Sequence, residues 1–230
     1  MEYLPNGFTL ELSPNSFPLS TDSMVLAHFT KLPKQARVLD LGAGCGTLGL
    51  LLCAKDPACH VTGLELSETA HMSAVENIRR NGLQDRMESI CADLRRSGEI
   101  FPAGSFSVCI SNPPYFSGGP ASKQLTAARR EDTCSLEELL HTGAKLLKYG
   151  GDFYLVHRPE RLAEIIALGA ANSLEAKRLL LVRHRPESEI SIIALQLRKG
   201  GKPGLKIEEA VLFDSLDAPT GYYRNVYHLD

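Results

Sequence analysis

The sequence predicts an α/β fold: a Rossmann-like, doubly wound, seven-stranded sheet that is mostly parallel and has an antiparallel terminal strand. From residue 37 onward, short apolar runs rich in β-branched residues alternate with longer helical patterns, as in parallel sheets covered on both faces. Near the end of the chain, two apolar runs are joined by only Arg185-Pro186-Glu187-Ser188. Because four residues are too few for a right-handed crossover, these two runs should pair antiparallel.

Each predicted element has its own local signal. Ser67 caps a helix that should run to Asn81, with Gly82 at the stop position, and Pro159 suits the first turn of another helix. A helix at 47–55 follows the first strand, and the capping box at 135–138 opens a helix to about residue 148. The predicted strands are 37–41, 60–65, 87–91, 106–110, 152–157, 178–184 and 189–197.

Residues 1–30 are predicted to form an N-terminal cap on a main domain of residues 31–230. Residues 8–12 alternate apolar and polar side chains as a hairpin strand would, and a helix should begin at Thr21 or Asp22. We expect Asp22 to cap this helix and to close the cofactor pocket.

Composition excludes several classes of protein. The 230 residues are 43% hydrophobic and carry a formal charge of −2, so any nucleic-acid surface must be a local patch. No apolar run is long enough for a membrane span, and the first residues do not resemble a signal peptide, so we expect a cytoplasmic protein. We also expect a monomer. We expect no metal site, and we interpret the scattered cysteines as reduced core residues: Cys45, Cys53, Cys59, Cys91, Cys109 and Cys134.

A glycine-rich loop follows the first predicted strand and opens a helix, where backbone N–H groups can meet a ligand. Its spacing fits two templates. Gly44-x-Gly46-x-x-Gly49 matches a dinucleotide fingerprint, while Asp40-x-Gly42-x-Gly44-x-Gly46 is the form found in enzymes that use S-adenosylmethionine. The loop alone does not distinguish between them.

Of two acidic residues at later strand ends, one fits both templates and the other favours S-adenosylmethionine. Glu65 ends the second strand and would hold ribose hydroxyls under either template. Asp93 follows the third strand, where its carboxylate can accept from an adenine amino group. A dinucleotide would need a second phosphate-binding half, whereas S-adenosylmethionine needs only an adenine slot and a methionine slot.

The fourth strand, 106–110, is followed by Asn112-Pro113-Pro114-Tyr115. The lone pair of a purine amino group is delocalised into the ring, so this group is a poor nucleophile. The side-chain oxygen of Asn112 and the backbone carbonyl of Pro113 would accept its two protons and hold the lone pair toward a donor methyl. The second proline adds rigidity, and Tyr115 would stack on the base. Catalysis would then depend mainly on alignment.

These motifs resemble those of class I methyltransferases that modify planar nitrogens. Most of the chain resembles one branch, the tRNA1(Val) adenine-N6 methyltransferase-like proteins, through "STDSMVLAHF", "NPPYF", "AARRE", "LVHRPERLAEI", "EAKR" and "GLKIEEAVLFD". The resemblance implies N6-methylation of the adenine just after the anticodon of a tRNA. It also places Asp40, Gly42, Gly44, Gly46, Glu65 and Asp93 on cofactor motifs, and Asn112, Pro113, Pro114 and Tyr115 on the catalytic motif.

Three classes of function fit these motifs. We favour an RNA adenine methyltransferase, with an rRNA guanine or DNA adenine as other acceptors of the same chemistry. A glutamine-amide protein methyltransferase would use the same motif, but its relatives carry a large N-terminal helical domain. A non-catalytic binding module would leave the motif without a role.

A tRNA substrate requires phosphate contacts. His157, Arg158 and Arg161 are candidates, although the same pattern is typical of a solvated helix face. The best predicted basic patch lies near the end of the chain and comprises Lys177, Arg178, Arg183, Arg185, Arg198, Lys199 and Lys202.

Overall fold

The computed structural model describes residues 2–4, 7–12, 19–113 and 134–228. The strands are β1 (Glu2–Tyr3), β2 (Thr9–Leu10), β3 (Arg37–Leu41), β4 (His60–Glu65), β5 (Met87–Cys91), β6 (Phe106–Ser111), β7 (Leu147–His157), β8 (Leu174–Arg183), β9 (Ile190–Lys199) and β10 (Lys206–Val211). The α-helices are α1 (Thr21–Phe29), α2 (Thr47–Lys55), α3 (Glu68–Arg80), α4 (Ser97–Ile100), α5 (Leu136–Leu146), α6 (Leu162–Ala171) and α7 (Gly221–Tyr227).

The main sheet has the order β10-β8-β9-β7-β6-β3-β4-β5 among the described residues. Its pairs are parallel except that β9 runs antiparallel to both β7 and β8, which confirms the predicted fold class and the antiparallel hairpin. The strand count was wrong: the sheet has eight strands, because β10 adds to the edge beside β8. Of the six residues of β10 only Ala210 is buried, so its sequence lacks the apolar run by which strands were identified.

Helices cover both faces of this sheet. Alternate strand residues point to opposite faces, so Val38 joins a core with α1, α2 and α7, whereas Leu39 joins a core with α5 and α6. On the second face α5 lies close to the sheet, since a Cβ added at Gly143 would come within 2.0 Å of the Phe153 ring. The predicted capping box of α5 is confirmed, with Ser135 and Glu138 bonding reciprocally. The sheet is therefore doubly wound.

The N-terminal segment is fastened to α3 by two asparagines. Asn81 Oδ1 accepts from the Thr9 backbone N–H and Asn77 Oδ1 from that of Glu11, each at 2.8 Å. Asn77 is fully buried, and its Nδ2 donates to the carbonyls of Glu11 and Cys45 at 2.9 and 3.0 Å. These bonds satisfy a buried amide and join the segment to the glycine-rich loop.

The expectation that the cysteines are reduced core residues has a mixed outcome. Cys45, Cys53, Cys59 and Cys109 are buried free thiols, but Cys91 is exposed and Cys134 half-buried, so the core interpretation was wrong for these two. Among the described residues, no helix is long and apolar enough to cross a membrane.

Candidate active site

The candidate site lies where the sheet changes its winding direction. From β3 the chain adds β4 and β5 on one side, and then β6 on the other side. The carboxyl ends of β3 and β6 therefore flank a crevice of the kind in which such sheets bind ligands. Asp40 pairs with Ile110 in the register, and two residues further along lie Gly42 and Asn112. The glycine-rich loop and the predicted catalytic motif are thus neighbours.

The backbone conformation of the glycine-rich loop explains why three of its positions are glycine. Gly42, Gly44 and Gly46 have φ angles of 76°, 56° and 85°, a region that residues with a Cβ rarely adopt. A Cβ at Gly42 or Gly44 would meet nothing within 4 Å, so the space above the loop is open to a ligand. Gly49 has a different role, because a Cβ there would lie 2.3 Å from Met87 Cε. A glycine at this position allows α2 to pack closely on the sheet. Both cofactor templates need this close packing, so Gly49 does not distinguish between them.

Asp40 is a buried carboxyl below this loop. It is 1% exposed, and its two oxygens accept no well-formed hydrogen bond from the described residues. Burial and then the charge of Glu65 raise the pKa of Asp40 to about 8, against a smaller opposing effect of the Gly49 N–H. A buried acid that accepts no well-formed hydrogen bond from the described part of the chain, beside an open loop, suits a cationic ligand group. S-adenosylmethionine carries positive charge on its sulfonium and amino groups, so it fits these residues.

Glu65 ends β4 and organises the loop. Its Oε2 accepts from the Gly44 backbone N–H at 2.8 Å, and its Oε1 from the Ser67 N–H at 2.7 Å. Each carboxylate oxygen has a second lone pair, so Glu65 can still accept from a ligand hydroxyl. The structure places Glu65 between the glycine-rich loop and the start of α3.

The two remaining predicted cofactor residues lie on opposite sides of the site. Asp93 follows β5, where hydrogen bonds from the Arg95 side chain hold its pKa below the usual range. The Asp93 carboxylate is therefore ionised and able to accept from an adenine amino group. The predicted cap at Asp22 was wrong: Ser20 caps α1 by accepting from the Ser23 N–H, and Asp22 lies inside the first turn.

Asn112 follows β6 directly and is half-buried. Its Nδ2 donates to Ser23 Oγ on α1 at 3.0 Å, across 89 positions of sequence. Ser23 lies in the stretch STDSMVLAHF, but no role was predicted for it, because no spacing signal relates two residues so far apart. Pro113 is described, but Pro114 and Tyr115 lie outside the described residues, so the proposed stacking of a base on Tyr115 stays a prediction.

The predicted basic patch does not form one surface. The carboxyl ends of the parallel strands form the edge of the sheet that carries the candidate site, called the site edge, and the opposite strand ends form the far edge. Because β9 runs antiparallel, it carries part of the patch to the far edge. Arg198 pairs with Asp152 in the register, five residues before the site end of β7 at His157, which is roughly 17 Å along a strand. At the site edge lie Arg183 and Arg185. Near the far edge lie Lys177, Arg198, Lys199 and Lys202.

Several of these basic side chains are already bound within the protein. Arg178 forms an ion pair with Glu208 at 3.0 Å and stacks over the Phe29 ring at 4.1 Å, so its predicted role in the patch was wrong. Arg198 pairs with Asp152 at 2.8 Å. Further bonds are made by Lys177 to the Lys202 carbonyl, Arg183 to the Ser188 carbonyl, Arg185 to Asp217 and Lys199 to the Leu147 carbonyl.

Of the three basic residues at and just after the end of β7 that were predicted to contact phosphate, Arg158 is the best placed to do so. Arg158 is exposed at the site edge. Arg161 forms an ion pair with Glu164, and His157 is only 4% exposed and accepts the Arg158 backbone N–H. His157 is therefore too buried for a phosphate contact.

Comparison with known proteins agrees with this architecture. The family model of the methyltransferase small domain matches residues 20–169. The tRNA1(Val) (adenine(37)-N6)-methyltransferase of Bacteroides fragilis is 32% identical, over 78% of this chain and 76% of that protein. The enzyme of the same name from Shewanella halifaxensis is 30% identical, over 76% of this chain and 71% of that protein.

Solved structures show the same fold. A predicted O-methyltransferase from Agrobacterium tumefaciens has a TM-score of 0.77 at 23% identity, covering 90% of this chain and 96% of that chain. A SAM-dependent methyltransferase from Aquifex aeolicus has a TM-score of 0.56 at 14% identity, covering 78% and 89%. The chain belongs to the methyltransferase small domain family and is a methyltransferase that uses S-adenosylmethionine as its cofactor.

Proposed function

We propose that this methyltransferase transfers a methyl group to the N6 amino group of an adenine in the anticodon loop of a tRNA. The observation that carries the proposal is that Asn112 lies beside the glycine-rich loop, on the strand next to the one that ends in it. The names of the relatives, which specify adenine 37 of tRNA1(Val), support the same acceptor.

The mechanism is one of alignment. Bound S-adenosylmethionine supplies an electrophilic methyl group on a sulfonium. Asn112 Oδ1 and the Pro113 carbonyl accept the two N6 protons of the adenine, which directs the nitrogen lone pair toward the cofactor side of the crevice. These two bonds hold the amino group in a geometry that bulk water does not impose. The attack itself needs no general base, and the extra proton of the methylated nitrogen passes to solvent afterwards.

An anticodon loop suits this site for an energetic reason. Bases in such a loop are unpaired, so little energy is spent in turning one outward to reach Asn112. In this proposal Tyr115 stacks on the turned base. A tRNA substrate also implies a cytoplasmic enzyme, which we propose acts as a monomer.

Phosphate contacts are proposed at the edge of the sheet that carries Asn112. Arg158 is the main candidate because it is exposed and follows β7, the strand beside β6. Arg183 and Arg185 lie further along the same edge, at and just beyond the end of β8, but their side chains bond the Ser188 carbonyl and Asp217, so they rank behind Arg158. A nearly neutral protein has to gather such contacts locally.

Incubation with isotopically labelled S-adenosylmethionine and separate tRNA, rRNA, DNA and protein fractions tests the proposal. We expect label in tRNA, recovered as N6-methyladenosine after digestion to nucleosides and mass spectrometry. Asn112→Ala should abolish transfer and retain most affinity for S-adenosylhomocysteine. Label in a glutamine side chain of a protein, or in guanine, would replace the proposal by one of the other acceptors.

A further inference from the structure

Asn77 of α3 bonds two separate parts of the protein with one side-chain amide. Its Oδ1 accepts from the Glu11 backbone N–H at 2.8 Å, while its Nδ2 donates to the carbonyls of Glu11 at 2.9 Å and of Cys45 at 3.0 Å. A backbone N–H only donates and a backbone carbonyl only accepts, so these partners fix the orientation of the amide. Asn77 is 0% exposed, so water competes little for these bonds.

The Cys45 carbonyl belongs to an intrinsically adaptable part of the glycine-rich loop. Cys45 lies between Gly44 and Gly46, which both have positive φ angles. Because glycine has wide conformational freedom, bonds from other elements help to hold this stretch in one conformation. Glu65 accepts from the Gly44 N–H, and Asn77 donates to the carbonyl of the next residue. Side chains from β4 and α3 thus hold consecutive residues of the loop.

We propose that Asn77 is a positioning residue for the cofactor. By holding the Cys45 carbonyl it keeps the glycine-rich loop in the conformation that S-adenosylmethionine meets, so less conformational entropy is lost on binding. The same amide holds Glu11, so binding of the cofactor and pairing of residues 9–11 with α3 should stabilise each other. The inference goes beyond the proposed function, because it does not depend on which acceptor is methylated.

Asn81 holds the same segment in the same way and is a matched control. Its Oδ1 accepts from the Thr9 backbone N–H and its Nδ2 donates to the Thr9 carbonyl, each at 2.8 Å. The third bond differs, because Asn81 Nδ2 donates to the Asn77 backbone carbonyl of α3, also at 2.8 Å. Among the bonds of the described residues, Asn77 therefore reaches the glycine-rich loop and Asn81 does not.

The segment that both asparagines hold is also anchored by apolar packing. Leu4 is 4% exposed and Leu10 is 0% exposed, and both belong to the core that contains α1 and α2. Loss of either asparagine should therefore leave residues 9–11 on the protein and loosen them locally. This makes the two single variants comparable.

The first test compares Asn77→Ala with Asn81→Ala. Each variant loses two bonds to the N-terminal segment and one further bond, so both should melt at a lower temperature. Only Asn77→Ala releases the Cys45 carbonyl, so it should weaken the Kd for S-adenosylhomocysteine about three- to tenfold by calorimetry, whereas Asn81→Ala should change this Kd less than twofold. Equal changes of Kd in the two variants would show a general structural effect and overturn the inference, as would an unchanged Kd in Asn77→Ala.

Hydrogen exchange tests the coupling without any measurement of activity. Saturating S-adenosylhomocysteine should slow exchange of the Glu11 backbone amide in wild type about three- to tenfold, because coupling between two equilibria is reciprocal. Amides of β10, at the edge of the sheet, report general stabilisation and set the baseline. The extra protection should persist in Asn81→Ala and disappear in Asn77→Ala.

The wild-type measurement is decisive even where Asn77→Ala does not fold. Protection of the Glu11 amide no greater than that of β10 would overturn the inference, and extra protection that vanished in Asn81→Ala would overturn it as well. Failure of wild type to methylate RNA, with the coupling intact, would refute the proposed function and leave the role of Asn77 established.

Discussion

The buried carboxyl of Asp40 should make cofactor affinity depend on pH. Its pKa of about 8 means that the group is mostly protonated at neutral pH in the free protein. Positive charge on bound S-adenosylmethionine favours the ionised form. Binding below pH 8 therefore requires loss of a proton, and affinity should rise as pH increases toward 8.

The magnitude follows from the ionised fraction. With a pKa of about 8 for Asp40, roughly one tenth of the molecules are ionised at pH 7 and one hundredth at pH 6. The Kd for S-adenosylmethionine should accordingly weaken about tenfold for each pH unit below 8. The amino group of the cofactor also titrates, so the useful quantity is the ratio of Kd between Asp40→Asn and wild type, which removes that contribution.

Isothermal calorimetry of both proteins from pH 5.5 to 8.5 measures this ratio. We expect Asp40→Asn to bind more weakly at pH 8 and the difference to shrink by about tenfold per unit on acidification. In two buffers of different ionisation enthalpy, wild type should also release close to one proton on binding near pH 6.5. A ratio that stays constant across this range would refute the reasoning.

Folding stability gives an independent readout with a defined sign. The folded pKa of Asp40 is raised above its unfolded value, so between about pH 4 and pH 8 the unfolded chain ionises there and the folded protein does not. Wild type should lose stability relative to Asp40→Asn as pH rises, by roughly 1.4 kcal/mol or 3–6 °C in Tm per unit. Parallel melting temperatures between pH 5 and pH 8 would contradict a pKa near 8.

Three further predictions concern other sites. Glu65→Ala should weaken S-adenosylhomocysteine binding at least tenfold by calorimetry, because it removes the acceptor of the Gly44 N–H and the carboxylate that we propose holds the ribose hydroxyls; unchanged Kd would exclude this role. Arg178→Met should lower the free energy of unfolding in urea by about 1–3 kcal/mol, since it removes the closer of the two ion pairs of Glu208 and the bond from Arg178 to the Phe29 carbonyl, whereas the exposed control Lys202→Met should stay within about 0.5 kcal/mol. Arg158→Ala should reduce the salt slope of tRNA binding by about one, and Lys202→Ala should not; equal slopes would move the tRNA surface elsewhere.

Much of the fold was predictable because its signals are local. Gly82 was expected to end α3, and its φ of 64° shows why a residue without a Cβ is needed there. The capping box at 135–138 and the loop after β3 are equally local patterns. The strand β10 gave no such signal, because half of its six residues are charged and only one is buried, as an edge strand allows.

The errors arose from contacts between distant residues. Residues 177–202 form a basic cluster in the sequence, but β8 and β9 are each ten residues long and carry their ends to opposite edges of the sheet. Arg178 was counted as a surface charge because its partner Glu208 lies on a strand that was not predicted. Ser23 lies in the stretch STDSMVLAHF, but no spacing signal links it to Asn112, which is 89 positions away in the sequence.

The bond between Ser23 and Asn112 also limits how this enzyme can be recombined with its relatives. Residues 1–30, proposed as a cap, supply the partner of the amide on which we propose that catalysis depends. Chimeras that exchange this segment to alter substrate choice would replace Ser23 together with the intended surface. A crossover before residue 20 would keep both members of the pair from one parent, so it is the safer junction for engineering.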